Sequence, residues 1–66
     1  MIIKFNKKIY SQPAIKRAIK NYQRLADFSF SPQKKYFLVK IKKAQPEIRK
    51  NIEDEFSNYV LSLTKG

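Results

Sequence analysis

The sequence contains neither cysteine nor histidine, and its one glycine is the last residue. Without cysteine no disulfide or thiolate metal site can form, and this composition is typical of the reducing cytoplasm, where we expect the protein to act. Without histidine the chain also lacks the commonest general base and metal ligand. A glycine-rich phosphate loop is excluded as well. We therefore predict a protein that is not an enzyme and uses no cofactor or metal.

Long apolar runs are missing too. The longest, Tyr36 to Val39, has four residues, so neither a signal-peptide core nor a transmembrane span is expected. Acidic residues are few, five against fifteen basic ones, and three of them are consecutive, Glu53, Asp54 and Glu55. Consecutive side chains on a helix point about 100° apart. We therefore interpret this cluster as a solvated acidic patch and not as a cation site.

The net charge of +10 is unevenly distributed along the chain. Residues 1–46 hold twelve basic residues and one acid, Asp27, whereas residues 47–66 hold three basic residues and four acids. A strongly positive region favours a polyanionic partner, which could be nucleic acid, an anionic membrane surface or an acidic protein. The alternative interpretation is that the lysines only keep a small protein soluble.

Sixty-six residues make one domain, residues 1–66, with five predicted elements. The two-residue alternation of apolar side chains predicts three strands, at 3–9, 27–31 and 36–42. In the first of these, Ile3, Phe5 and Ile9 share one face. Ser11 and the following proline are typical of a helix start, and three- and four-residue steps predict helices over 12–26 and 46–63.

The order β-α-β-β-α predicts an α+β fold. A right-handed crossover makes the first two strands parallel. The hairpin between the second and third strands makes the third antiparallel to both, so it can occupy the centre of a mixed three-stranded sheet. Both helices would then cover the same face of that sheet and leave the other face open.

Two basic surfaces follow from this arrangement. On the uncovered sheet face, lysines would lie beside exposed apolar groups, and the candidate residues are Lys4, Lys8, Tyr36, Leu38, Lys40 and Lys42. On the first helix, a polar stripe about 100° wide lies opposite the apolar side, and its members are Lys16, Arg17, Lys20 and Arg24. Both surfaces also have a structural interpretation without any binding role. Any amphipathic helix needs a polar side, and lysine on an open sheet prevents edge pairing. The sheet face is the better candidate, because exposed apolar groups beside charge mark contact surfaces.

Two segments resemble one protein family. Residues 9–18 (Ile-Tyr-Ser-Gln-Pro-Ala-Ile-Lys-Arg-Ala), with the Phe-Ser-Phe-Ser run at 28–31, resemble the opening of the His-Xaa-Ser system protein D family. Residues 55–61 resemble a Glu-Phe-x-Asn stretch in that family's last helix, and the resemblance covers about residues 9–63. The family consists of small accessory proteins encoded beside radical-enzyme maturases and a repeat-containing peptide. The resemblance implies a helper in ribosomal peptide modification that acts through protein contacts.

The resemblance also implies positions for four residues. Tyr10 and Ser11 would mark the start of the first helix, and Glu55 and Asn58 a polar edge of the second. Because Glu55 lies near the apolar side of its helix, we favour a structural role in which it accepts a hydrogen bond or a lysine from the sheet. The high lysine content of this chain departs from typical members.

Three binding hypotheses remain from the sequence. The first is a protein or peptide partner on a surface that includes Tyr36, Leu38 or Leu61, and the same face would also accept a second copy of the chain. The second is nucleic acid on the first helix and the open sheet face, with an affinity that falls steeply with salt. The third, a membrane surface bound by the first helix, is weaker because the apolar side of that helix is needed for the core.

Overall fold

The computed structural model describes all 66 residues. The strands are β1 (Ile2–Asn6), β2 (Asp27–Pro32) and β3 (Tyr36–Lys42), and the helices are α1 (Gln12–Tyr22), α2 (Pro46–Arg49) and α3 (Ile52–Lys65). The sheet order is β1–β3–β2, and β3 is antiparallel to both neighbours. The predicted α+β class and the central position of the third strand are therefore confirmed. Every neighbouring pair is antiparallel, so the prediction of a mixed sheet is wrong. β1 and β2 each leave one edge open.

The core lies between one face of the sheet and the helices. Phe5 and Ile41 from the sheet are buried together with Ile15 of α1 and Phe56 of α3. The Phe56 ring lies 5.0 Å from the Phe28 ring and 6.1 Å from the Phe5 ring, measured between centroids. Tilted aromatic pairs at these distances add to the stabilisation that burial gives. All thirteen buried residues are apolar, so this face has no buried polar side chain to satisfy.

The first helix begins where the sequence predicts. Ser11 has extended backbone angles, and its hydroxyl accepts a hydrogen bond from the Ala14 amide at 3.2 Å. The helix ends at Tyr22, four residues before the predicted end at residue 26. There the Leu25 amide donates to the Tyr22 carbonyl at 2.9 Å, a three-residue step that closes a turn in place of another helical turn. Ala26, at the end of the predicted helix, is buried but lies outside α1.

The predicted second helix is divided into α2 and α3. At the break, the Asn51 amide donates to the Ile48 carbonyl at 3.1 Å, again a three-residue step, and the Glu55 amide then donates to the Asn51 carbonyl at 2.9 Å. The prediction of one continuous helix is wrong at residues 50–51. Ile52 and Phe56 remain four residues apart and buried on one side, so the break leaves the apolar face intact. None of the helices has the length and apolar character needed to cross a membrane.

The first strand ends at Asn6, three residues earlier than predicted. The Asn6 side-chain oxygen accepts a hydrogen bond from the Lys8 amide at 2.8 Å, and its carbonyl accepts from the Ile9 and Tyr10 amides at 3.0 and 2.9 Å. The chain therefore turns through residues 7–9. Ile9 is 56% exposed, so its predicted position on the covered face is wrong, and Tyr10 packs on the Phe5 ring instead, at 4.9 Å between centroids.

Candidate binding surface

The uncovered face of the sheet carries the side chains that alternate with the core residues. Its members, read from the strand register, are Ile2, Lys4 and Asn6 of β1, Tyr36, Leu38, Lys40 and Lys42 of β3, and Asp27, Ser29 and Ser31 of β2. Five of the six residues predicted for this face are present on it. Lys8 is the exception, because it lies in the turn after β1 and not on a strand.

Apolar groups on this face lie among lysines. Ile2 is 55% exposed and Tyr36 is 41% exposed, while Leu38 is half-buried. Across the strands Ile2 faces Lys40 and Leu38 faces Lys4. The Lys4 ammonium also lies 5.9 Å from the centroid of the Tyr36 ring, a cation–π distance. We use the name sheet-face patch for these five residues, Ile2, Lys4, Tyr36, Leu38 and Lys40.

Lys42 lies at the opposite end of the uncovered face from Tyr36. It lies opposite Asp27, at the far end of the hairpin. Asp27 also forms the only ion pair of the protein, with Lys43 at 3.8 Å. Six residues of strand separate Lys42 from Tyr36, which is a distance of about 20 Å. The predicted lysines therefore belong to two ends of one face, and only the end near Tyr36 is free of acid.

A cluster of four lysines lies at that acid-free end. Because β1 and β3 are antiparallel, the residues that follow β1 meet those that precede β3, and the Lys7 amide donates to the Lys35 carbonyl at 3.2 Å. The cleft between the two turns has a volume of about 300 Å³, and its lining residues are Asn6, Lys7, Lys8, Lys34, Lys35 and Tyr36. We call it the lysine cleft. Sequence reasoning placed only Lys8 and Tyr36 in a binding surface and did not assign this cleft.

The lysine cleft has no counter-ion within the protein. Asp27 is at the opposite end of the sheet and is paired with Lys43. The other four acids lie in α2 and in the first turn of α3, on the covered side. One lysine is partly anchored, since the Lys7 ammonium lies 5.1 Å from the centroid of the Phe37 ring. The positive field at this end of the sheet is therefore available to an anionic ligand.

The basic stripe of the first helix is exposed but divided. Lys16, Arg17 and Lys20 are on α1, whereas Arg24 follows the end of the helix. The Lys16 ammonium lies 5.5 Å from the centroid of the Phe30 ring on β2. Arg17 instead lines a shallow cleft at the opposite flank of the helix, together with residues of the chain end. The stripe therefore does not present its four charges to one ligand surface.

Polar contacts between α1 and α3 involve two tyrosines. The Asn21 amide group donates to the Tyr59 hydroxyl at 2.6 Å, and the Tyr22 and Tyr59 rings lie 5.5 Å apart. Burial raises the pKa of Tyr22 above its usual value, and the nearby Glu55 carboxylate and Tyr59 raise it further. This group of side chains joins the two helices and lies away from the uncovered sheet face.

The residues predicted to be of interest on the last helix are Glu55, Asn58 and Leu61, and none of them belongs to a cluster of functional side chains. Glu55 and Asn58 are both exposed. The Glu55 carboxylate accepts no hydrogen bond and is in no ion pair, so the favoured structural role for it is wrong. Leu61 is half-buried on α3, away from the uncovered sheet face. Neither polar residue forms a site with a second functional side chain.

Comparisons of this chain with protein-family models, curated proteins and solved structures find no match. The resemblance to the His-Xaa-Ser system protein D family therefore stays a prediction. No relative supplies a ligand, a partner or an activity, and the chemistry of the chain's own surfaces is the guide to what it binds.

Proposed function

We propose that the protein is a non-enzymatic accessory factor that binds a segment of a partner protein on the sheet-face patch. The observation that carries this proposal is the exposure of Ile2 and Tyr36 between lysines on a face that no helix covers. Leu38 lies beside Tyr36 on β3 and diagonally across from Ile2, and a contiguous apolar patch rimmed by polar residues marks a contact surface. The surrounding lysines select a partner segment that carries carboxylates, because opposite charge steers association and excludes cationic competitors.

The resemblance over residues 9–63 supports the accessory part of the proposal. Small helpers of the His-Xaa-Ser system protein D family accompany enzymes that modify a repeat-containing peptide. We propose the same setting for this chain, as a cytoplasmic helper in ribosomal peptide modification. Its contribution would be to hold a protein or peptide, with no bond made or broken by its own residues.

Two isoleucines offer a matched test of the binding face. Ile2 on the sheet-face patch and Ile9 in the turn after β1 are 55% and 56% exposed. We would select binders to the native protein from a displayed library of random 12-residue peptides and measure their affinity for Ile2→Ser and Ile9→Ser. Ile2→Ser should weaken binding about tenfold or more, because a buried isoleucine side chain is worth about 1.5–3 kcal/mol. Ile9→Ser should change it less than twofold.

Amide chemical shifts would locate the bound peptide independently. Peptides bound to the sheet-face patch should shift the amides of β1 and β3. Equal losses in the two isoleucine variants, or shifts confined to α1, would contradict the proposal.

A second candidate function is binding of single-stranded nucleic acid. The specific observation in its favour is that Tyr36 lines the lysine cleft and is 41% exposed, so a base could stack on its ring while lysines contact phosphates. Fluorescence anisotropy with labelled single-stranded and duplex oligonucleotides tests it, with heparin as a competitor for charge alone. The log–log slope of affinity against salt should be about −0.7 per phosphate contacted on a single strand. A flat salt response would remove this candidate.

A further inference from the structure

The lysine cleft offers several hydrogen-bond donors to a ligand. The Asn6 side-chain oxygen is already bonded to the Lys8 amide, which leaves the side-chain NH₂ as the free part of that group. At the hairpin tip the Gln33 amide donates to the Tyr36 carbonyl at 2.7 Å, and the Lys35 carbonyl accepts from Lys7. The amides of Lys34 and Lys35 donate to no acceptor in the protein. These free donors and the lysines of the cleft, of which Lys7 holds its ammonium against the Phe37 ring, define an anion site.

The type of anion follows from the residues that are absent from the cleft and those beside it. No arginine lines the cleft, although its planar fork is the group that matches one phosphate with two hydrogen bonds. Separate lysines suit several separate carboxylates equally well. The cleft also shares Tyr36 with the sheet-face patch, where Ile2 and Leu38 offer contacts to apolar side chains of a ligand. A polypeptide supplies both chemistries, whereas a phosphodiester chain supplies no aliphatic group.

We infer that the lysine cleft binds a cluster of carboxylates in the partner segment, next to an apolar side chain that packs on Leu38. This inference rests on the proposed function, because the apolar contact is the sheet-face patch. The distance between the carboxylates and the apolar side chain of the partner follows from β3. Lys35 precedes Leu38 by three residues, which is about 10 Å of extended chain. In an extended partner the acidic cluster and the apolar anchor are therefore about three residues apart.

Short labelled peptides test this arrangement directly. The probe contains four glutamates, two serines, a leucine and a phenylalanine in that order, and a second probe has the reverse order, because the structure does not set the direction of the partner chain. Two controls replace the glutamates by glutamine or the apolar pair by serine. At least one of the first two probes should bind at least tenfold more tightly than both controls in fluorescence anisotropy at low salt.

Two charge-reversed double variants show whether binding depends on the lysines of the cleft or only on the net charge of the protein. Lys34→Glu with Lys35→Glu replaces two positive charges of the cleft by negative ones. Lys16→Glu with Lys20→Glu makes the same change in net charge on α1. All four residues are exposed, and circular dichroism checks the fold. The cleft variant should lose tenfold or more in affinity for the better probe, and the helix variant less than threefold. The glutamine versions of both variants should show the same order with smaller losses.

The outcomes distinguish this inference from the proposed function. Equal losses in the two double variants would overturn the carboxylate site, because net charge alone would then explain binding. If Ile2→Ser weakens peptide binding and the cleft variant does not, the proposed function stands and the inference is wrong. If a labelled oligothymidine binds more tightly than both acidic probes and depends on the same lysines, the site takes phosphates and the inference is also wrong.

Discussion

The two faces of the sheet are built from the same three strands but have opposite chemistry. Phe5 and Ile41 on the covered face are at most 2% exposed, and no charged side chain lies among them. Lys4 and Lys40 on the other face alternate with these residues along the same strands. Because alternate side chains point to opposite faces, one face can stabilise the fold while the other is free to bind. The difference predicts that stability and the proposed binding can be altered separately on a single strand.

The largest expected difference between the faces is in stability. Ile41→Ala should lower the free energy of unfolding by about 2–5 kcal/mol, because it leaves a cavity in the core. Leu38→Ala, three residues earlier on the other face, should lower it by about 1 kcal/mol or less, because that side chain is only half-buried. Urea unfolding followed by circular dichroism measures both.

A chain of this length has a total stability of about 3–10 kcal/mol, so Ile41→Ala could unfold. Ile41→Val is then the usable variant, with an expected loss of about 0.5–1.5 kcal/mol. Equal losses for the changes at positions 38 and 41 would show that the two faces are not distinct in stability.

A change of charge on the uncovered face should have a smaller effect of the opposite sign. Lys40 lies next to Lys42 on the same side of β3 and diagonally across from Lys4. Lys40→Glu turns two repulsive neighbours into attractive ones and should raise the free energy of unfolding by about 0.2–1 kcal/mol. The gain should shrink at high salt, because exposed charges are screened. A loss of stability at low salt would show that Lys40 contributes to the fold through its stem.

The smallest effect concerns pH and the helices on the covered side. The pKa of Tyr22 in the folded protein is raised above 10.0 by burial and then by Glu55 and Tyr59. The folded state therefore holds this proton more tightly than the unfolded state. The resulting stability is fully present below pH 10 and is lost as the pH rises through the raised pKa. Tyr22→Phe should flatten the fall in stability above pH 10 relative to the native protein, and an unchanged slope would contradict this role.

Much of the fold could be predicted because its determinants are local. The Ser11 cap and the alternation in β3 each act over a few residues, and chain direction then places β3 in the centre. The helix break at Asn51 could not be predicted, because Ile48, Ile52 and Phe56 keep a four-residue spacing across it. A pattern of apolar positions does not record whether a backbone amide bonds three or four residues back.

The uncovered face was predictable, whereas the lysine cleft was missed for a specific reason. Ile9 continues the alternation of Ile3 and Phe5, so the predicted first strand was too long and Lys8 was assigned to the sheet. The Asn6 side chain ends the strand first by bonding the Lys8 amide. A signal was nevertheless present, since antiparallel pairing of β1 with β3 brings the lysines after one strand to the lysines before the other.

The two open strand edges have a consequence for how copies of the protein behave together. An unpaired edge is a template for strand pairing between molecules, and charge is one means of preventing it. With a net charge of +10, copies repel each other over a range that shrinks from about 30 Å at 0.01 M salt to about 8 Å at 0.15 M. The colloidal stability of the protein is therefore set by ionic strength. A polyanion that neutralises the lysines would both occupy the uncovered face and remove the barrier to self-association.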